Sequence, residues 1–138
     1  MKTTFLKTIL INFCFLGSSL YAQTQKDVLS YAKQFETNKS EYIGKPFSYL
    51  LSKLSTQTQP KKVWFFPNTN NKNIVLTSTF SLNKKEDNIR NAVRLDITWQ
   101  EPIPFLNVDY YYKKNKTFFT GEEKSFYGDK IIKNIEVY

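Results

Sequence analysis

The sequence contains no histidine, and its only cysteine is Cys14, near the start of the chain. Ser-His-Asp and Cys-His catalysis, histidine general bases and imidazole metal sites are therefore excluded. Glycine is also scarce, and neither the GxxxxGK(S/T) loop nor the GxGxxG turn that binds phosphate groups occurs. Carboxylates remain as the main catalytic groups, and the sequence predicts no cofactor.

The first 22 residues have the order of a cleavable secretory signal peptide. Lys2 and Lys7 give a basic start, an uncharged and mostly apolar run extends from Thr8 to Leu20, and a small residue, Ala22, follows. The apolar run is shorter than the roughly 20 residues that a membrane-spanning helix needs. We therefore expect cleavage near Ala22, export to the periplasm or the outside of the cell, and no transmembrane segment in the mature chain.

Residues 23–138 are expected to form one α+β domain that contains no disulfide, because Cys14 leaves with the signal peptide. A chain of this length buries enough surface for one hydrophobic core. Aromatic residues make up 17% of the sequence, which is a rich supply for that core. We therefore expect the stability of the domain to depend on packing alone.

Two helices are predicted at the start of this domain. Apolar residues recur every three or four positions over residues 24–39 and again over residues 47–54, the spacing of an amphipathic helix. Gly44 permits a turn between the two segments, and Pro46 is suited to the start of the second helix.

From Lys61 onward the hydrophobic period changes to two, which predicts strands. Pro102 and Pro104 are expected to interrupt the chain, residues 108–113 are expected to form a strand or a helical turn, and residues 121–126 fit either a helical turn or a loop. The strand segments are residues 63–66, 74–82, 92–99, 108–113 and 130–138. The predicted fold has two N-terminal helices packed on one face of an antiparallel sheet of four to five strands.

Two segments, YIGKPFSYLLSKL and FYGDKIIKNIEVY, resemble segments of small uncharacterised secreted proteins of Bacteroidetes, as does the end of the signal peptide, LYAQTQ. The first segment also resembles the Gly-then-helix opening of the β-lactamase-inhibitor-like α/β fold, which periplasmic binding and assembly proteins use. This resemblance implies a secreted or periplasmic protein and assigns no functional residue.

Carboxylates could act in pairs, as they do in glycoside hydrolysis. Asp96 lies on the same strand face as Arg94, and this arrangement favours a solvated surface ion pair that contributes little. No spacing in the chain places two carboxylates across a cleft or builds a calcium loop, so no catalytic residue and no metal ligand is assigned. The carboxylates considered are Asp96, Glu101, Asp109, Glu122 and Glu123.

Two segments combine aromatic rings with lysines, a combination that can bind sugars, bases or anionic groups. For residues 61–66 an ordinary strand is the favoured interpretation. The second segment is the candidate binding site, because three consecutive tyrosines on a strand cannot all face the core. Its residues are Tyr110, Tyr111, Tyr112, Lys113 and Lys114.

The sequence therefore predicts an exported non-enzymatic binding or inhibitor-like protein that acts in the periplasm or outside the cell. The alternative is a small carboxylate-based enzyme acting on an envelope glycan. Removal of Lys2 and Lys7 with the signal peptide lowers the formal net charge from +8 to +6, since 18 basic residues then face 12 acidic ones, and this charge favours a partner that is an acidic protein or an anionic glycan. Nucleic acid would also fit this charge, but the expected export argues against it, and the sequence sets no oligomeric state.

Overall fold

The computed structural model describes residues 27–82 and 88–138. The predicted signal peptide with its cleavage near Ala22, the first residues of the predicted helix at 24–26 and the charged segment 83–87 lie outside the described residues. The described part of the chain has four helices and a four-stranded antiparallel sheet, which confirms the α+β class. Within these residues no helix has the length and apolar character needed to span a membrane.

Both helices predicted at the start of the domain are present. Residues 27–37 are helical and form the described part of α1. Helix α2 covers Phe47–Lys53 and buries Phe47, Leu50 and Leu51, the apolar face that the spacing predicts. Gly44, between the two helices, has a φ of 81°, a conformation that glycine adopts without a steric cost.

The four strands lie side by side in chain order, and each pairs antiparallel with the next. They are β1 (Lys62–Phe65), β2 (Ile74–Ser81), β3 (Arg94–Pro104) and β4 (Ile132–Val137).

Strand β3 continues through Pro102 and Pro104, so the expected interruption there is wrong. Its pairing with β4 reaches only to Trp99, whereas its pairing with β2 continues to Pro104. The end of β3 therefore has one unpaired side, and a proline on that side removes no hydrogen bond from the sheet.

The strand favoured for residues 108–113 is wrong, and the segment takes the helical alternative, because helix α3 covers Phe105–Asn115. The tyrosines of this segment favour strands intrinsically. Two other features are typical of a helix: Pro104 at the amino-terminal end, and an ion pair between residues four positions apart. In this ion pair Asp109 Oδ2 lies 2.6 Å from Lys113 Nζ. The segment left open at residues 121–126 is also helical, and α4 covers Gly121–Gly128.

One face of the sheet, here called the inner face, carries the core. Leu95, Ile97 and Trp99 of β3 are buried there, as their alternation predicts. Phe47 of α2 packs edge-on against Trp99 with ring centroids 5.6 Å apart. Tyr127 of α4 stacks on the same indole with its centroid also 5.6 Å away. The alternate residues of β3 point to the opposite face, here called the outer face.

The alternation predicted for β2 holds at its end but not at its start. A register shift between Val75 and Thr77 forms a β-bulge, and the side chains before the bulge lie on the opposite face from the one that strict alternation predicts. Val75 is fully buried and Leu76 is exposed, whereas the sequence pattern grouped Leu76 with the buried Phe80. The bulge therefore moves an apolar side chain to the solvent-facing side of the sheet.

Both outer edges of the sheet already have hydrogen-bond partners. On β1, Val63 N donates to Thr117 O at 2.8 Å. On β4, Ile132 N donates to Lys45 O at 3.0 Å, and Val137 N donates to Glu36 Oε1 at 3.1 Å. An unpaired edge would offer a template for another strand, so these contacts protect parts of both edges.

Lys116, which follows α3, stores backbone strain. Its φ of 58° and ψ of −132° form a conformation that side chains with a Cβ adopt at a cost of about 1–3 kcal/mol. We expect Lys116→Gly to raise the free energy of unfolding by about 1 kcal/mol, since glycine removes this strain but adds about 0.5–1 kcal/mol of chain entropy. Urea unfolding measures the change.

The control for this substitution is Lys124→Gly, within α4. Lysine is relaxed there, so glycine should lower the free energy of unfolding by about 1 kcal/mol. If Lys116→Gly destabilises the protein as much as Lys124→Gly does, the conformation of Lys116 is not strained.

Candidate functional site

A groove of about 670 Å³ opens on the outer face of the sheet and is the candidate functional site. Its floor is formed by Thr77 and Thr79 of β2 together with Arg94 and Asp96 of β3. The volume falls within the range of about 300–1,000 Å³ that is typical of small-molecule sites. We call this site the outer groove.

Strand pairing determines which side chains meet on this floor. Thr79 lies opposite Asp96, and Thr77 lies opposite Thr98, with 3.1 Å between the two hydroxyl oxygens. Because β2 and β3 are antiparallel, these polar side chains form a contiguous row on the outer face.

Two polar atoms in the groove floor are buried and have no hydrogen-bond partner among the described residues: Nε of Arg94 and Oδ1 of Asp96. A buried polar atom without a partner costs about 1–3 kcal/mol. Such atoms are rare in folded proteins, and each calls for an explanation. The floor of the groove therefore contains one donor and one acceptor that no described residue satisfies.

Burial raises the pKa of the Asp96 carboxyl, and this effect outweighs the hydrogen bond with Thr79 and the charge of Arg94, which both lower the pKa. Glu136, opposite Asp96 on β4, raises it further. The Arg94 guanidinium lies 5.2 Å from the ring centroid of Tyr138. The solvated surface ion pair predicted for Arg94 and Asp96 is wrong, since both side chains are half-buried.

Apolar side chains also line the outer groove. Phe66, which is 63% exposed, and Leu76, which the bulge moves outward, both belong to this lining. Ile89 and Arg90, from the segment before β3, belong to it as well. Phe66 and Phe65 are neighbours, so one ring reaches the core and the other reaches the groove.

Side chains fix both loops that flank the outer groove. Asn68 Oδ1 accepts hydrogen bonds from Asn70 N at 2.9 Å and Asn71 N at 3.0 Å. Asn88 Oδ1 accepts a hydrogen bond from Arg90 N at 2.9 Å. Such local bonds hold turns in one conformation. Residues 68–71 and 88–90 beside the groove are therefore held in defined turns.

The candidate residues Tyr110, Tyr111, Tyr112, Lys113 and Lys114 do not form one surface. They are consecutive on α3, so their side chains are spread around the helix. Tyr111 is half-buried with its ring centroid 4.7 Å from that of Phe126. Tyr112 contacts Phe65 with centroids 5.9 Å apart, and Tyr110 is 56% exposed.

The lysines of this segment have carboxylate partners. Lys113 Nζ lies 2.6 Å from Asp109 Oδ2, and Lys114 Nζ lies 2.6 Å from Glu122 Oε1. These ion pairs neutralise the positive charge that the sequence suggests, which weakens the segment as an anion site.

The acidic residues after α3 also have structural roles. Glu123 is buried and forms a capping box with Thr120 at the start of α4. It also accepts a hydrogen bond from Asn115 Nδ2 at 2.8 Å. The hydrogen bond from Lys114 is the largest effect that lowers the pKa of Glu122. Within the described residues no group of three or more potential ligands could hold a metal ion.

The fold and the groove define an α+β protein with an open polar site on the outer face of its sheet. Comparisons of the chain with protein-family models, curated proteins and solved structures found no match, so its function is argued from geometry.

The sequence predicts that Arg94 and Asp96 share one face of the sheet, but it does not predict the groove around them. The signal that indicates the groove is the pair Phe65 and Phe66, of which only one ring can face the core. No sequence pattern indicates the contribution of Ile89 and Arg90, which come from a separate segment.

Proposed function

We propose that this chain is an exported, non-enzymatic binding protein that holds part of its partner in the outer groove. The observation that carries the proposal is the presence of two buried polar atoms without partners, Arg94 Nε and Asp96 Oδ1, in the floor of an open groove. A ligand that supplies one acceptor and one donor would remove both penalties. A binding site retains such a cost because binding offsets it.

Binding is favoured over catalysis because Asp96 is the single carboxylate among the described residues that line the groove. Hydrolysis of a glycan by the common mechanisms needs two carboxyl groups across the scissile bond. Glu136 lies opposite Asp96 in the strand register but is outside this lining. The alternative, an enzyme acting on an envelope glycan, predicts release of shorter products, which chromatography of an incubated glycan would detect.

Export and the position of the N-terminal helices are parts of the proposal. Packing of both helices on the inner face is supported by Phe47 of α2 beside Phe80, with centroids 4.6 Å apart, and by Phe35 of α1 beside Tyr42 at 5.5 Å. The outer groove opens on the opposite face of the sheet. For export, N-terminal sequencing of protein recovered from its host should begin at Gln23, and a full-length product retained in the membrane would contradict it.

The test of the binding site compares wild type with Asp96→Ala and Arg94→Met. Each variant removes one of the unpartnered atoms, and a hydrogen bond to a charged group contributes about 1.5–3 kcal/mol. The polysaccharide and protein fractions of the host envelope are titrated separately by calorimetry. We expect one fraction to bind wild type and to bind each variant at least about 10-fold more weakly.

The matched control is Tyr110→Ala, which truncates an exposed ring on α3 away from the groove lining. It should bind as wild type does. Circular dichroism verifies that each variant is folded. Unchanged binding by Asp96→Ala and Arg94→Met, or a loss confined to Tyr110→Ala, would contradict the proposed site.

A further inference from the structure

We propose that the outer groove binds a sugar unit that carries a carboxylate, namely a uronic acid residue of an acidic glycan. This inference rests on the proposed function, since it names the ligand of the same groove. Three properties of the groove support it: its charge, its unpartnered acceptor and its apolar rim.

The charge of the described lining favours an anion. Arg90 and Arg94 contribute two cations, and Asp96 is the single carboxylate that opposes them. Guanidinium groups bind carboxylates with paired, charge-assisted hydrogen bonds. The Nε of Arg94 is already desolvated and has no partner among the described residues. A carboxylate on the ligand would therefore meet a guanidinium group that is already partly desolvated.

The unpartnered acceptor in the groove floor favours a ligand that also donates a hydrogen bond. Asp96 Oδ1 is buried without a partner, and it lies two residues along β3 from Arg94 on the same face. Chloride or sulfate could accept a hydrogen bond from Arg94 but has no proton to donate to Asp96, and an ammonium group could donate to Asp96 but cannot accept from Arg94. A uronic acid has both groups on one ring, since its hydroxyls donate while its carboxylate accepts.

The apolar rim fits the C–H surface of a sugar ring. Phe66 and Leu76 are exposed at the edge of the groove beside polar Thr77. Ligand sites commonly combine an apolar wall with a few polar groups that fix orientation. An extended peptide would bind best by adding a strand, but β1 and β4 already have edge partners at Val63, Ile132 and Val137. A glycan therefore fits this surface better than a peptide does.

The test uses tetragalacturonate and its fully methyl-esterified form as probes, titrated into the purified protein by calorimetry. The two probes share the linkage and the ring hydroxyls and differ in the charge of the carboxyl group. We expect wild type to bind the acid at least about 10-fold more tightly than the ester, which corresponds to about 1.4 kcal/mol. Equal binding of the two probes, or binding of neither, would overturn the inference.

Two variants with the same change in net charge test whether the groove itself selects the acid. Arg90→Gln removes a cation from the groove rim and should reduce the preference for the acid several-fold. Lys113→Gln removes a cation from α3 and should leave the preference unchanged. Equal effects of both variants would mean that the overall charge of the protein, and not the groove, attracts the acid.

The outcome also separates this inference from the proposed function. If neither probe binds but binding of an envelope fraction still depends on Asp96 and Arg94, the ligand class is wrong and the binding site stands. If Asp96→Ala and Arg94→Met bind that fraction as wild type does, both proposals fail.

Discussion

Replacement of Leu95 or Ile97 with Ala is expected to lower the free energy of unfolding by about 2–5 kcal/mol. Both side chains are fully buried on the inner face of β3. Leu95 lies between Phe80 and Val137 on the neighbouring strands, and Ile97 lies opposite Ile135. Truncation removes buried methyl groups and leaves a cavity that the paired strands cannot close, so the loss should be near that of other tightly packed cores.

Urea unfolding monitored by tryptophan fluorescence measures these losses. Leu106→Ala is the matched control, because it makes the same chemical change at a side chain that is 76% exposed. It should alter stability by less than about 0.5 kcal/mol. Losses well under 1 kcal/mol at both Leu95 and Ile97 would show that β3 is misplaced or that its faces are exchanged.

The sequence predicts β3 up to Trp99 because the alternation there is long and unbroken, whereas the two prolines beyond it and the short segments mislead. The pattern around Tyr110 is equally compatible with a strand face and with a helix, and three tyrosines favour the strand. Tertiary contacts decide that the segment is a helix. Val108 is buried and Tyr111 packs on Phe126, and only helical spacing brings both side chains to the core. The proline before the segment is the local signal that could have corrected the assignment.

The outer groove could be predicted only in part, because three separate segments form it. The alternation of β3 places Arg94 and Asp96 on one face, and this much follows from sequence alone. The groove also needs Leu76, which reaches it only because of a bulge, and Arg90, which is positioned by a separate loop. Burial of the two charged side chains depends on these neighbours, so a pattern along one strand cannot reveal it.

The unusual electrostatics of Asp96 agree with a binding role better than with a structural one. Because burial raises its pKa, the folded protein retains the proton to a higher pH than the unfolded chain does. Stability from this group is therefore present at low pH and declines as the pH rises from the unfolded pKa to the folded one. Near neutral pH the half-buried Asp96 carboxylate therefore lowers the free energy of unfolding. A residue with this effect is typical of a binding site, where a bound ligand compensates for the lost stability.

A buried polar cluster in the core gives the second large effect, for which Ser78→Ala is the test. Trp99 Nε1 donates to Ser78 Oγ at 3.0 Å, and the Ser78 side chain also hydrogen-bonds to the hydroxyl of Tyr127. All three residues are buried, and burial raises the pKa of Tyr127 far above its usual value. We expect Ser78→Ala to cost about 2–3 kcal/mol, because it leaves the indole N–H and the phenol without a partner.

A double-mutant cycle with Tyr127→Phe isolates the cluster from simple loss of packing. Tyr127→Phe removes only a hydroxyl, so once Ser78 is alanine the second substitution should cost clearly less than it does in wild type. Ser125→Ala, at an exposed position of α4, makes the same chemical change as Ser78→Ala and should alter stability by less than about 0.5 kcal/mol. Urea unfolding at pH 7 measures all four proteins of the cycle. Strictly additive losses would mean that Ser78 and Tyr127 are not coupled, and that the stacked rings of Trp99 and Tyr127 are held by packing alone.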